Sequence, residues 1–213
     1  MTRPAKRSKP RKATETVEVA ASEKAAPLRR TWFVRATGQL SELADQPPLI
    51  TICAVTALAG IAFGNRRLAS AGARMLTAEL IATAAKDAIK ARVDRTRPRV
   101  VADGGRYRSG KGGTKDSAHS SFPSGHTAGA VAVARAVARE YPAAATPAYA
   151  VASGVAAIQV PRSQHYPSDL AVGALIGVAA EAVAYGAERL LARRWPAREV
   201  EAPLLLLPAP TGT

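Results

Sequence analysis

The chain has one cysteine in 213 residues, Cys53, so no internal disulfide can hold it together. That cysteine lies in an apolar run, where a lone thiol reads as a small core residue. Aromatic residues are scarce at 5%, which counts against a protein that stacks single-stranded bases on side-chain rings. Acidic residues are also few. Sixteen Asp and Glu stand against thirty Lys and Arg, for a net charge of +14, so the expected partners are anions: nucleic acid, anionic lipid or a phosphorylated substrate. There are three histidines, and neither they nor the carboxylates fall into a ligand cluster near the loops. No metal site and no cofactor are expected on that pattern. No apolar core follows the basic start, so residues 1–30 do not read as a secretory leader. No internal repeat is visible.

What the chain has in quantity is Ala, Val, Leu, Ile and Gly, once two polar blocks are set aside. Residues 1–30 are basic, contain proline and lack large apolar side chains. They are expected to be a disordered basic tail, because they bury too little to offset the entropy of ordering. Residues 31–46 carry Trp32, Phe33, Val34, Leu40 and Leu43 at spacings that suit an interfacial helix. From Pro47 to Gly64 no residue is charged, and the run is close to the length that spans a bilayer. A second helical stretch, 68–85, contains Arg74 and Glu79, which at membrane depth face a bundle interior or otherwise pair locally in a soluble helix. Residues 86–115 hold ten Lys or Arg, three Asp and several glycines, and read as a basic loop. Helices are then expected over about 125–140, 143–160 and 169–192, each rich in small residues that let helices approach closely. Residues 193–213 read as a tail. The fold expected is all-α: a membrane-embedded bundle of about five or six helices, residues 47–192, with its site at helix ends near one membrane face. A soluble helical bundle is the alternative.

Three clusters flank helix ends. The first is Lys90-Ala-Arg-Val-Asp-Arg-Thr-Arg97-Pro98. Pro98 disfavours helix at Arg97, so Lys90 is placed on the last turns and Arg97 at the loop. Such cations also suit any helix C-terminus. The second is Ser120-Ser-Phe-Pro-Ser124-Gly125-His126-Thr127. With Pro123 opening a helix, the N–H groups of Ser124 and Gly125 are expected free, the Ser124 hydroxyl adds a donor, and an anion can approach Gly125 closely. The bland reading is a helix cap beside a buried histidine. The third is Arg162-Ser-Gln-His165-Tyr-Pro-Ser-Asp169. Asp169, four residues after His165, is expected to accept the His165 Nδ1 proton and leave Nε2 bare as a nucleophile. His119 reads as a loop residue. Phosphoryl transfer needs an in-line nucleophile, donors around the equatorial oxygens and a proton for the leaving oxygen, and the three clusters contain each of these parts.

The clusters resemble the three-part signature of the type 2 phosphatidic acid phosphatase superfamily, which takes in membrane lipid phosphatases, soluble acid phosphatases and vanadium haloperoxidases. Lys90, Arg97 and Pro98 match its first motif, Pro123 to His126 its second, and His165 with Asp169 the end of its third. The resemblance implies catalytic His165, His126 and Asp169. His165 attacks phosphorus, Asp169 orients it, and His126 protonates the leaving group and then activates water. It also implies phosphate binding by Lys90, Arg97, Ser124 and Gly125, without metal. One departure stands out. The family's third motif begins Ser-Arg, and here Ile158 and Gln159 occupy those positions. Arg162 is expected to supply the missing guanidinium.

The function expected is a metal-independent phosphatase acting on a phosphate monoester or diphosphate, on a lipid such as a polyprenyl (di)phosphate, phosphatidic acid or phosphatidylglycerol phosphate. A catalytically weak relative that binds anionic lipid headgroups is the alternative, and a basic nucleic-acid-binding protein a third. The uncharged run 47–64 and the His motifs speak against nucleic acid. The expected setting is the cell (inner) membrane, crossed by about five helices. With two spans before the first cluster, the basic tail and the site share a side.

Overall fold

The computed structural model describes residues 13–114 and 116–194. It is a helical bundle. Its elements are α1 (Ala13–Ala25), α2 (Trp32–Ser41), α3 (Gln46–Ala62), α4 (Arg66–Lys90), β1 (Val93–Arg95), α5 (Pro98–Ala102), β2 (Ser109–Lys111), α6 (Gly125–Glu140), α7 (Ala145–Ile158) and α8 (Pro167–Arg194).

Local chemistry sets the helix limits. Pro47 and Pro48 sit in the first turn of α3, where a missing N–H costs nothing. Gly64 adopts a positive φ of 66° after α3. The Asn65 side chain then caps α4 by accepting the Leu68 N–H at 3.0 Å. α3 and α4 pack as a hairpin in which Gly60 lies on the Ala69 backbone and Gly72 on the Ala57 backbone, with no room for a Cβ at either. α4, α6 and α8 pack on one another, α3 flanks α4, and α7 flanks α6. Their shared core is largely alanine: Ala78, Ala82, Ala128, Ala132, Ala180 and Ala184, with Ile81 and Ile176 at its edge. Such small side chains bring backbones close, and packing at short range replaces bulk.

Charges inside the bundle are paired at the end away from the α6 and α8 starts. Arg74 meets Glu188 at 2.8 Å and Glu140 at 2.9 Å. The fully buried Glu181 meets Arg139 at 2.5 Å and Arg135 at 3.2 Å. This is what a buried charge requires, since an unpaired one is strongly destabilising. Arg74 and Glu79 do face the interior. They do not pair with each other: Glu79 accepts from Thr83 instead.

Several expectations are corrected. Residues 13–30 are not a disordered tail. α1 forms, and Val19 and Ser22 are buried. The sequence hides this because the segment packs through a few side chains and not through an apolar stripe. Residues 1–12 lie outside the described ones. The 86–115 segment is not simply a loop either: α4 ends at Lys90, and β1 pairs antiparallel with β2, Val93 opposite Lys111. At the other end α8 runs to Arg194, and the tail expected from 193 lies beyond the described residues from 195.

Among the described residues, only Pro167–Arg194 is by itself long and apolar enough to cross a membrane, its most apolar 18-residue stretch having a mean hydropathy of 1.7. The pair Trp32–Ala44 and Gln46–Ala62, bent by 56°, passes the same test together, and Pro142–Ile158 is apolar but shorter. The expected five spans are therefore not reached on length and apolarity. α4 carries Arg74 and Glu79, and α6 carries Arg135 and Arg139, charges that the bundle buries or pairs.

The close approach of α8 to α6 yields a test. A Cβ at Gly177 would meet the Ala128 carbonyl and the Ala132 nitrogen. Gly177→Val is expected to destabilise the bundle by about 3 kcal/mol or more, at the upper end for overpacking. It should show as a lowered thermal unfolding midpoint, while Gly186→Val, in open space, leaves it nearly unchanged.

Candidate active site

The starts of α6 and α8 lie side by side. Pro167 opens α8 as the sequence predicts, and Gly173 on its second turn packs against the Ser124 carbonyl. The Ser124 N–H donates to the Asp169 carbonyl at 3.1 Å, so it is not free as expected. Gly125 is the first residue of α6, two residues later than Pro123. Ser124 is the N-cap: its hydroxyl accepts the Thr127 N–H at 3.4 Å and bonds the Thr127 hydroxyl at 3.0 Å. That cap turns the Ser124 oxygen into the helix.

His165 is buried just before α8. Its Nδ1 lies 2.7 Å from the Ser121 carbonyl and 3.8 Å from Asp169 Oδ2. The expectation that Asp169 takes the Nδ1 proton is therefore corrected. A carbonyl only accepts, so Nδ1 carries the proton, and Nε2 is left with its lone pair. Asp169 is drawn off by other donors: Ser121 Oγ at 2.6 Å, the Tyr166 N–H at 2.9 Å and Arg95 Nη1 at 2.5 Å. Burial drives the His165 pKa down to about 4. Asp169 opposes that, and Arg97 and Lys90 add to it. The imidazole is thus held neutral, as a nucleophile must be.

Cations surround these histidines. Lys90 Nζ donates to the Ser120 carbonyl at 2.7 Å. Lys86, one turn earlier, lies over Gly125, where a Cβ would come 3.0 Å from its Cδ. Arg97 Nη1 donates to Gln164 Oε1 at 2.5 Å, and its Nε is buried with no hydrogen-bond partner among the described residues. Burial first, then Arg99, lowers the Arg97 pKa, while Asp169 and Asp45 oppose that. His126 Nε2 is likewise buried without a hydrogen bond, 3.7 Å from Glu42 Oε2. Its neighbours among the described groups are Asp45, Glu42, Arg162 and Arg97.

Arg162 stands elsewhere than the sequence suggests. Its Nη1 donates to Ser41 Oγ at 2.8 Å and its Nη2 to Glu42. It lies against α2 because Gly38 has no side chain to block it. Gln159 is fully buried and donates to Ser41 Oγ and to the Val155 carbonyl. Arg162 therefore reaches the His126 side of the site by way of Glu42. The expectation of no carboxylates near the site also needs correction, because Glu42, Asp45 and His126 offer ligand atoms within 4.8 Å of one another.

The sequence reading missed Lys86, Arg95, Ser121 and Glu18. Lys86 had a signal, four residues before Lys90 on one helix face. Arg95 had a weaker one, inside the first cluster. Glu18 had none. Its carboxylate meets Arg95 Nη2 at 2.8 Å, the Ser168 N–H at 2.7 Å and the Ser168 hydroxyl at 2.9 Å. It caps the start of α8 from a distant segment.

The sequence profile of the PAP2 superfamily matches residues 71–191, more than half the chain and the whole of the three clusters. The chain belongs to the PAP2 superfamily. No curated protein sequence matches it. Among solved structures it resembles one described as the first transmembrane PAP2-type phosphatidylglycerolphosphate phosphatase from Bacillus subtilis, at 18% identity, a TM-score of 0.61, 85% of this chain and 89% of that one. At that identity the likeness shows the PAP2 fold. It extends beyond the profile match, while α1 to α3, which bring Glu18, Glu42 and Asp45 to the site, all precede residue 71.

Two outcomes follow for this PAP2 site. Arg95→Ala leaves the fully buried Asp169 carboxylate without its cation and is expected to lower stability by about 3 kcal/mol or more, read as a drop in unfolding midpoint. Arg95→Lys should recover part of it. His165 stays neutral when folded and gains a proton when unfolded between its ordinary pKa of 6.5 and about 4. Its contribution is intact above pH 6.5 and is lost as pH falls through that window. His165→Asn should flatten that part of the stability–pH curve.

Proposed function

We propose that this chain is a phosphatase that removes a terminal phosphate from a lipid phosphate monoester or diphosphate, through a phosphohistidine on His165 and without a metal. The observation that carries the reading is the fixed tautomer of His165: Nδ1 is held by the Ser121 carbonyl at 2.7 Å, which leaves Nε2 its lone pair, and the ring sits in the field of Arg97 and Lys90. In the first step the Nε2 lone pair forms a bond to phosphorus as the bond to the leaving oxygen breaks. His126 gives its Nε2 proton to that oxygen, and Glu42 beside it supports the protonated ring. In the second step neutral His126 takes a proton from water, the hydroxide attacks phosphorus, the P–N bond breaks, and inorganic phosphate leaves. Lys90, Arg97, Lys86 and the Gly125 N–H stabilise the equatorial oxygens. The Ser124 hydroxyl serves by capping the helix that presents them, and Arg162 holds Glu42 in place beside His126.

A membrane setting supports the lipid part of this reading. Trp32, Phe33, Leu40 and Leu43 on α2 and its following turn are exposed, as are Ile52, Val55, Leu58 and Ile61 on α3. A surface of this kind suits lipid contact. The solved PAP2 neighbour is described as transmembrane and as acting on a lipid phosphate. We place the chain in the cell membrane with several helices embedded, Arg74 on α4 and Arg135 and Arg139 on α6 being paired with carboxylates within the bundle. The second reading, a weak or inactive relative that holds anionic headgroups, is favoured by one observation: Gln159 occupies the family's motif-arginine position.

The test is phosphate release from a panel of lipid phosphates in detergent, with and without a chelator. The expected outcome is turnover that chelator leaves unchanged and that His165→Ala lowers by at least about a thousandfold, the order seen when a nucleophile is removed. Activity abolished by chelator would place Glu42, Asp45 and His126 on a metal and overturn the metal-free step. No turnover of any lipid by the wild type, with headgroup binding retained, would establish the second reading.

A further inference from the structure

Arg95 holds the Asp169 carboxylate, and it is itself held by a residue from outside the segment that carries the PAP2 motifs. Each nitrogen of its guanidinium is engaged. Nε donates to the Tyr107 hydroxyl at 3.1 Å, Nη1 to Ser168 Oγ at 2.8 Å and to Asp169 Oδ1 at 2.5 Å, and Nη2 to Glu18 Oε2 at 2.8 Å. Its central carbon lies 4.3 Å from the centre of the buried Tyr166 ring. Glu18 Oε1 accepts the Ser168 N–H at 2.7 Å, and the Ser168 hydroxyl donates to Oε2 at 2.9 Å. Glu18 belongs to α1, well before residues 71–191 that match the PAP2 profile. Its side chain is 17% exposed, so these charge-assisted bonds form largely out of water, where they are strong.

A carboxylate at a helix start needs no role beyond capping. The bond to Arg95 Nη2 goes further than that. Glu18 and Asp169 grip the guanidinium from two sides, and with Tyr107 and Ser168 they leave it one position. Arg95 then acts on the nucleophile by two routes. Its side chain fixes Asp169, which takes the Ser121 hydroxyl at 2.6 Å. Its backbone carbonyl accepts the Ser121 N–H at 3.0 Å. The Ser121 carbonyl in turn lies 2.7 Å from His165 Nδ1. Ser121 is thus held at its N–H by Arg95 and at its hydroxyl by Asp169, and its remaining polar group orients the imidazole.

We infer that Glu18 is a positioning residue for the reaction: by clamping Arg95 it holds Asp169 and Ser121 where they aim His165 Nε2 at phosphorus. The inference rests on the phosphatase reading above and adds to it a residue that touches no phosphate. Without the carboxylate, Arg95 Nη2 loses its acceptor and the guanidinium is gripped from one side only. A shift of Ser121 then passes directly to the imidazole, and misplacing a reacting atom by about 1 Å can cost about a hundredfold in rate. The loss falls on kcat and not on KM, because Lys90 and Arg97, which hold the phosphoryl group, are anchored elsewhere, on the Ser120 carbonyl and on Gln164.

The place of the carboxylate can be refilled. A cavity of about 820 Å³ between α1, β1 and the start of α8 is lined by Glu18, Arg95 and Ser168, so a small carboxylate in solution can reach the space that Glu18→Ala opens. The test measures phosphate release from phosphatidic acid in neutral-detergent micelles, with unfolding midpoints alongside, for the wild type, Glu18→Ala, Glu18→Gln and Glu23→Ala. Glu18→Gln keeps the side-chain length and removes the charge. Glu23 is exposed on the same helix and controls for the change in net charge. The expected result is a kcat about tenfold to a hundredfold lower in both Glu18 variants, with KM nearly unchanged and Glu23→Ala like the wild type. Acetate in place of chloride at equal ionic strength should raise the kcat of Glu18→Ala severalfold and leave the wild type unchanged. If Glu18→Ala does not fold, the kcat of Glu18→Gln decides. A wild-type kcat in the Glu18 variants, or a raised KM with kcat kept, overturns the inference while leaving the phosphatase reading intact. A fall in kcat that follows a lowered midpoint and does not respond to acetate makes Glu18 a helix cap alone and overturns it as well. No turnover of any lipid phosphate by the wild type fails the phosphatase reading itself, and the inference with it.

Discussion

Asp169 receives the Ser121 hydroxyl, the Tyr166 N–H and the Arg95 guanidinium on its carboxylate, and the Ser124 N–H on its backbone carbonyl. Through these bonds the first turns of α6 and α8 are held at a fixed offset, and Arg95 is held between them. The candidate site is built on that knot. The Ser121 carbonyl that orients His165 is placed by the same residue whose hydroxyl Asp169 grips. Remove the carboxylate, and the tautomer of His165, the approach of the two helices and the burial of Arg95 all lose their reason. The charge is affordable in the interior only because it is fully compensated.

The long-range frame serves the same end by different means. The small-residue faces of α6 and α8 come close enough that no side chain separates their backbones at Gly173 and Gly177. Close packing of this kind has few alternative arrangements, so the relative height of the α6 and α8 starts is set by the whole length of the bundle. At the far end Arg74, Arg135 and Arg139 meet Glu140, Glu181 and Glu188, and the three helices are fastened there too. The candidate site at one end and the ion pairs at the other thus share the same three helices.

The sequence made legible what is carried by local spacing. Lys90 with Arg97, Gly125 with His126, and His165 with Asp169 are each separated by fewer than ten residues, and the structure gathers all of them around one site. Pro167 marked the start of α8. What stayed hidden was the choice of partner. Asp169 was read as the acceptor for His165 because it is near in sequence, yet a backbone carbonyl from another segment lies closer. Glu18 and Glu42 sit in stretches that read as tail and interface, and nothing in their neighbourhoods tells that each meets a guanidinium group of the site. Arg162 matched a missing motif residue in charge but not in place, since Gly38 and Ser41 draw it onto α2.

The anchoring of α1 bears on sidedness. Glu18 joins this helix to Ser168 and Arg95, so α1 and the reaction centre sit at the same pole of the molecule. Whichever aqueous compartment bathes α1 also reaches the candidate site, so one orientation of the chain fixes both.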